Sequence, residues 1–204
     1  MRLFIALDID PDVRKRIIAF RNQMRQLAPD VPWVGPETFH VTLQFLGETK
    51  KLAEIQNGLQ QVKSQPPQIS FRGAGFFPNP KAPRVFWIGI EGDHHLQDLV
   101  IAISEAVLPL GFKREPGPYT PHLTLARAGS RRPGPVAGER PAPGLQQVRA
   151  KLEALPRPDF GTMTAREFIL YESHLSPGGP RYEKLATYPL CKPLIDPRIS
   201  EEDH

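Results

Sequence analysis

The sequence predicts an α+β fold made of two similar lobes. Three observations lead there. Apolar residues recur at helical spacing in four segments and at strand spacing between them. Prolines, 24 of 204 residues where average usage gives about 10, fall at the boundaries. A nine-residue motif returns 82 residues later. Gly35-Pro36-Glu37-Thr38-Phe39-His40-Val41-Thr42-Leu43 aligns with Gly117-Pro118-Tyr119-Thr120-Pro121-His122-Leu123-Thr124-Leu125, six positions identical.

Leu3 to Ile9 alternates and reads as a strand. Asp10-Pro11 supplies an N-cap and a proline at the first helical position. Val13, Ile17, Phe20, Met24 and Leu27 then mark one helix face. Pro29 and Pro32 end it. His40 to Leu46 is a strand. Leu52, Ile55, Leu59 and Val62 mark a second helix, stopped by Pro66-Pro67. Gln68 to Phe77 and Val85 to Ile90 are strands around a proline-rich loop.

The order then repeats. Leu96, Val100, Ile103, Val107 and Leu110 mark a third helix, and Pro121 leads into a strand from His122 to Ala126. Leu145, Val148, Leu152 and Leu155 mark a fourth helix. Thr164 to Tyr171 and Tyr182 to Leu190 read as strands around the turn Pro177-Gly178-Gly179-Pro180. One domain therefore spans 1–190, with repeats over about 1–92 and 93–190. The Pro-, Gly- and Arg-rich stretch 128–144 reads as a mobile surface insertion, and 191–204 as a polar tail.

Composition narrows the function. Charge is +4, from 26 basic and 22 acidic residues, with a sequence pI near 9.3. That suits an anionic substrate and falls short of a nucleic-acid coat. No stretch approaches the roughly 18 apolar residues of a membrane helix, and the opening segment is not a secretory signal. A single cysteine, Cys191, excludes an intrachain disulfide and fits a reducing, cytoplasmic setting.

Side chains alternate faces along a strand. That puts Val41, Leu43 and Phe45 in the core and His40, Thr42 and Gln44 on the opposite face. In the second motif Leu123 and Leu125 go inward, while His122 and Thr124 share the other side. Two facing imidazoles suit acid–base chemistry near neutrality: one neutral and accepting, one charged and donating. The threonine hydroxyls can bond phosphoryl oxygens, and Arg127 can add a charge-assisted contact. Strict alternation sends Arg127 inward, so it must lie past the strand end or at a bulge. Arg84 and Arg181 each follow a proline at the start of a strand and are candidate phosphate contacts, as is Tyr119 for substrate. Zinc needs three or four protein ligands, and no third ligand recurs with the histidine pair. His94-His95 opens a helix and reads as solvated; His174 has no repeat partner; His204 lies in the tail.

The two His-x-Thr strands resemble the paired motifs of the 2H phosphoesterases. MRLFIALDI, HVTLQFLGE, PRVFWIGI, PHLTLAR and LYESHLSPGGPRYE are similar to the RNA 2′,3′-cyclic phosphodiesterases within them, also called 2′-5′ RNA ligases (ThpR or LigT-like). The resemblance runs to about Leu190. It implies a bilobal α+β fold with antiparallel sheets lining a central cleft and helices outside. It implies a metal-free, cofactor-free enzyme that opens a terminal 2′,3′-cyclic phosphate on RNA to a 2′-phosphate, with reversible 2′-5′ RNA ligation as a second activity. Carried over, His40 is the proton donor, His122 the proton acceptor, and Thr42, Thr124 and Arg127 hold phosphate. Gln44 stands where relatives often carry Lys. Expected partners are RNA 3′ ends bearing the cyclic phosphate (tRNA halves or short oligonucleotides) or small cyclic nucleotides, with no membrane and a monomeric chain. The rival readings are a phosphoesterase for a small cyclic nucleotide or ADP-ribose cyclic phosphate, and a non-catalytic RNA-end-binding module.

Overall fold

In the computed structural model, residues 1–113, 117–128, 143–176 and 179–190 are described. The 129–142 part of the expected insertion, Pro177-Gly178 of the expected turn, and the tail 191–204 lie outside them.

Eight strands form two four-stranded antiparallel sheets. β1 (Arg2–Leu7), β2 (Val41–Glu48), β7 (Glu167–Ser176) and β8 (Gly179–Pro189) run in the order β2-β1-β7-β8. β3 (Gln68–Phe77), β4 (Val85–Gly92), β5 (His122–Arg127) and β6 (Asp159–Thr164) run in the order β5-β4-β3-β6. Each sheet thus draws two strands from 1–92 and two from 93–190. Between them come α1 (Pro11–Leu27), α2 (Leu52–Gln60), α3 (His94–Val107) and α4 (Pro143–Glu153). No helix among the described residues is long and apolar enough to cross a membrane.

The first helix begins as its sequence dictates. Asp10 caps it, accepting from the Asp12 N–H at 2.9 Å, and Pro11 occupies the first helical position. Val13, Ile17 and Met24 are buried, but Leu27 is 36% exposed.

The expected strand Thr164–Tyr171 straddles a boundary: it takes in only the last residue of β6 (Asp159–Thr164), a strand the sequence reading missed, and the first half of β7. Thr164 ends β6, whose partner is β3, and Glu167 begins β7, whose partners are β1 and β8. The chain changes sheets across Ala165-Arg166. Periodicity reads continuous strand there because both flanking segments are extended; only the pairing separates them.

β1 shows how the layers stack. Leu3, Ile5 and Leu7 enter the main core with Val13, Ile17, Phe71, Phe86 and Phe168. Phe4 and Ala6 point the other way and form a second small cluster with Ile169 and Tyr171, covered by Tyr182. A strand apolar on both faces needs cover on both. Core side chains supply one; aromatic rings supply the other, and they build the wall of the cleft.

Candidate active site

Each histidine stands at the start of its strand, His40 one residue before β2 and His122 as the first residue of β5. Each turns Nδ1 back onto a carbonyl two residues earlier. His40 Nδ1 lies 2.7 Å from Thr38 O, and His122 Nδ1 lies 2.9 Å from Thr120 O. A carbonyl only accepts, so the neutral ring carries its proton on Nδ1 and leaves Nε2 as the reactive nitrogen. The matched motif has produced a matched tautomer.

Each ring also rests on an aromatic wall. His40 packs against Phe4 at 4.8 Å between centroids and edge-on to Tyr182 at 5.1 Å. His122 stands edge-on to Phe77 at 5.1 Å and Trp87 at 6.5 Å. The Trp87 ring packs on β3 at Gly75, where a Cβ would meet it at 2.5 Å.

Bulges decide which side chains reach the cleft. β5 pairs with β4 as Ala126↔Phe86 and Thr124↔Trp87, so Leu125 is an extra residue. The alternation shifts by one and returns Arg127 to the Thr124 side, where its Nη2 donates to Thr124 Oγ1 at 3.2 Å. β2 has the same irregularity: Gln44↔Ile5 is followed by Thr42↔Ala6, so Leu43 is extra. Leu43 and Leu125 are 82 apart, the motif offset.

This shift overturns the expectation for Gln44. It is 4% exposed and its Oε1 accepts from Ser104 Oγ of α3 at 2.8 Å, so it faces that helix and not the cleft. Phe45, expected in the core, is 53% exposed and lies 6.1 Å from Phe4 in the cleft wall. Phe45 thus occupies in the first repeat the place that Arg127 occupies in the second.

Thr42 pairs with Ala6 and so shares the face of the Phe4–Tyr171 cluster. Tyr119 crosses from the second motif and donates its hydroxyl to Thr42 O at 2.9 Å. That bond ties the two repeats together. Arg84 precedes β4 and accepts from Ala128 N at 2.7 Å through its carbonyl, beside the Val85↔Arg127 pair. Arg181 is a second correction. It pairs with His174, and alternation sets both on the face away from Tyr182 and His40. His174 Nε2 lies 3.3 Å from Glu183 Oε2 on that side. Among the described residues two trios could ligate an ion, His94/His95/Asp98 and Glu172/His174/Glu183; neither includes His40 or His122.

Three charged groups beside the first histidine escaped the sequence reading: Asp8, Arg14 and Lys184. Arg14 and Lys184 both contact Asp8, at 2.6 and 2.7 Å. They come from β1's end, α1 and β8, and no local pattern links them.

Burial pushes His40 down from 6.5 to about 4, and the positive charges of Arg127 and Arg14 add to this, while the Thr38 bond and Asp8 oppose it. Arg127's charge also acts on Tyr182, so it reaches from the second sheet to the wall of the first.

A stability signature follows. Unfolded histidine titrates near 6.5, so between about pH 6.5 and 4 the unfolded chain holds a proton that folded His40 lacks. His40's contribution is full above pH 6.5 and is lost as pH falls toward 4, about 3 kcal/mol in all. Urea unfolding should therefore show a steeper acid loss for wild type than for His40→Ala. Equal slopes would contradict the burial of the ring.

A model of the family described as LigT like Phosphoesterase matches this chain twice, over residues 7–87 and 88–182. The chain belongs to this family. The double match falls on the two motif repeats. Among family relatives, the RNA 2′,3′-cyclic phosphodiesterase of Archaeoglobus fulgidus is 36% identical over 190 residues, 92% of this chain and 99% of that one. That of Methanothermobacter thermautotrophicus is 32% identical over 93% of this chain and 99% of its own. The crystal structure of TT0787 of Thermus thermophilus superposes with a TM-score of 0.71 at 28% identity, covering 93% of this chain and 98% of that one.

Proposed function

We propose that this protein hydrolyses terminal 2′,3′-cyclic phosphates on RNA to 2′-phosphates, with His122 and His40 as base and acid. The observation that carries the reading is the pair of Nε2-presenting histidines on matched strands, each backed by a carbonyl at Nδ1. Relatives over nearly the whole chain bear the name of that activity.

Water attacks phosphorus opposite O3′. Neutral His122 takes its proton through Nε2; the new P–O bond forms as the P–O3′ bond breaks. Protonated His40 gives its proton to O3′, leaving a 3′-hydroxyl and a 2′-phosphate. Thr42, Thr124 and Arg127 hold the non-bridging oxygens, where charge accumulates. With an RNA 5′-hydroxyl attacking in place of water, the same step would form a 2′-5′ bond: His122 takes the 5′-hydroxyl's proton, the P–O3′ bond breaks and His40 protonates O3′.

His40 is neutral in the empty cleft, so its donor role requires the substrate's charge. A phosphate anion about 4 Å from the ring stabilises imidazolium by about 4 kcal/mol at an effective dielectric of ~20. That corresponds to about three pKa units, enough to bring about 4 up to about 7.

Residues 1–190 act as one bilobal unit in this reading, monomeric and cytoplasmic, recognising the terminal phosphate and last nucleoside. The test is a short RNA ending in 2′,3′-cyclic phosphate, incubated with EDTA, with cyclic nucleotides and ADP-ribose cyclic phosphate in parallel. A 2′-phosphate product formed in EDTA is expected. A 3′-phosphate product, or activity that dies in EDTA and returns with zinc or manganese, would refute it. Two or three phosphate contacts, each worth a slope of about −0.7, keep the log–log salt dependence shallower than about −5. A steeper slope would reveal a longer RNA track.

A further inference from the structure

Helix α1 grips the loop that delivers His40. Arg14 Nη1 donates to Pro36 O at 2.6 Å, and Nη2 donates to Phe39 O at 3.2 Å and to Asp8 Oδ1 at 2.6 Å. Two turns later Arg21, 7% exposed, donates from Nε to Val34 O at 3.1 Å. Asp8 is itself held: Lys184 Nζ on β8 donates to Oδ2 at 2.7 Å and Ile9 N to Oδ1 at 2.9 Å. A planar guanidinium with a fixed fork can span such a set of acceptors; a lysine ammonium cannot.

The Phe39 carbonyl belongs to the peptide unit that enters His40. Fixing that carbonyl fixes how the histidine's backbone is turned. Helix α3 cannot grip the second motif in this way. α3 precedes it as α1 precedes the first, and α3 carries neither Arg nor Lys. The matched histidines are therefore held by unmatched means.

We propose that Arg14 is a positioning residue for His40: it orients the peptide entering the histidine, with Asp8 and Lys184 holding the guanidinium in place. The inference rests on the two-histidine reaction proposed above. A purely structural Arg14 would brace α1 against the loop, and its loss would be felt whether or not His40 were present.

A double-mutant cycle separates the two, measured by single-turnover cleavage of the cyclic-phosphate RNA. Arg14→Met should lower kcat about 10- to 50-fold with KM within about threefold, because a misplacement near 1 Å costs up to about 10²-fold. In the His40→Ala background the same change should cost less than about twofold. In an Arg127→Met background, where phosphate binding is weakened by another route, it should keep its full factor. Arg14→Lys should restore only part of the loss, and it carries the cycle if Arg14→Met does not fold. An undiminished factor in the His40→Ala background would overturn the inference. A His40→Ala variant with near-wild-type rate would instead strike the two-histidine reading, and this inference with it.

Discussion

Replacing His40 or His122 with Ala should slow cyclic-phosphate opening by roughly 10²–10⁴, the usual worth of a positioned acid or base. Both variants should stay folded, because each residue is half-buried and its ring rests on a cleft wall. A substrate with sulfur in place of O3′ tells them apart. A thiolate leaves without a proton, so that substrate should rescue His40→Ala and leave His122→Ala inactive. Rescue of the opposite variant would exchange the roles. Rescue of neither would undermine acid–base catalysis by this pair.

Inorganic phosphate should raise the pKa of His40 from about 4 to about 7, roughly a thousandfold gain in proton affinity. An NMR titration of the His40 ring with and without phosphate reads this directly. The kinetic counterpart has a definite sign. The donor must be charged and the acceptor neutral, so kcat should be bell-shaped in pH. Free His40 loses its proton at lower pH than bound His40. The alkaline limb of kcat/KM should therefore lie at lower pH than that of kcat. Coincident limbs, or a ring whose pKa moves by less than one unit, would mean that the phosphate does not sit against His40.

The sequence was informative wherever the cause is local. The Asp10-Pro11 start of α1 is a cap and a fixed φ, both confined to one turn. The expectation that Arg127 lies past the strand end or at a bulge rested on counting alternate residues, and the extra Leu125 makes it the bulge. The same count failed at Gln44 because the matching bulge at Leu43 was not anticipated. Arg127's charge gave a reason to doubt strict alternation. Gln44 gave none, since a polar residue on the cleft face looked satisfactory. Ser104, its actual partner, is 60 residues away.

By itself the sequence determined the four helices, most strands, the repeat, and the two His-x-Thr strands with their chemistry. These rest on periods, caps and motifs that a few neighbouring residues specify. Only the tertiary structure decided which strands share a sheet, that Phe45 and not Gln44 faces the cleft, and that Arg181 faces away from His40. It alone brought Asp8, Arg14 and Lys184 together beside one histidine and lowered that histidine's pKa by burial. The reason is distance along the chain. Strand register, burial and ion pairing are set by groups up to 176 residues apart, and no local pattern encodes which distant segment will supply the partner.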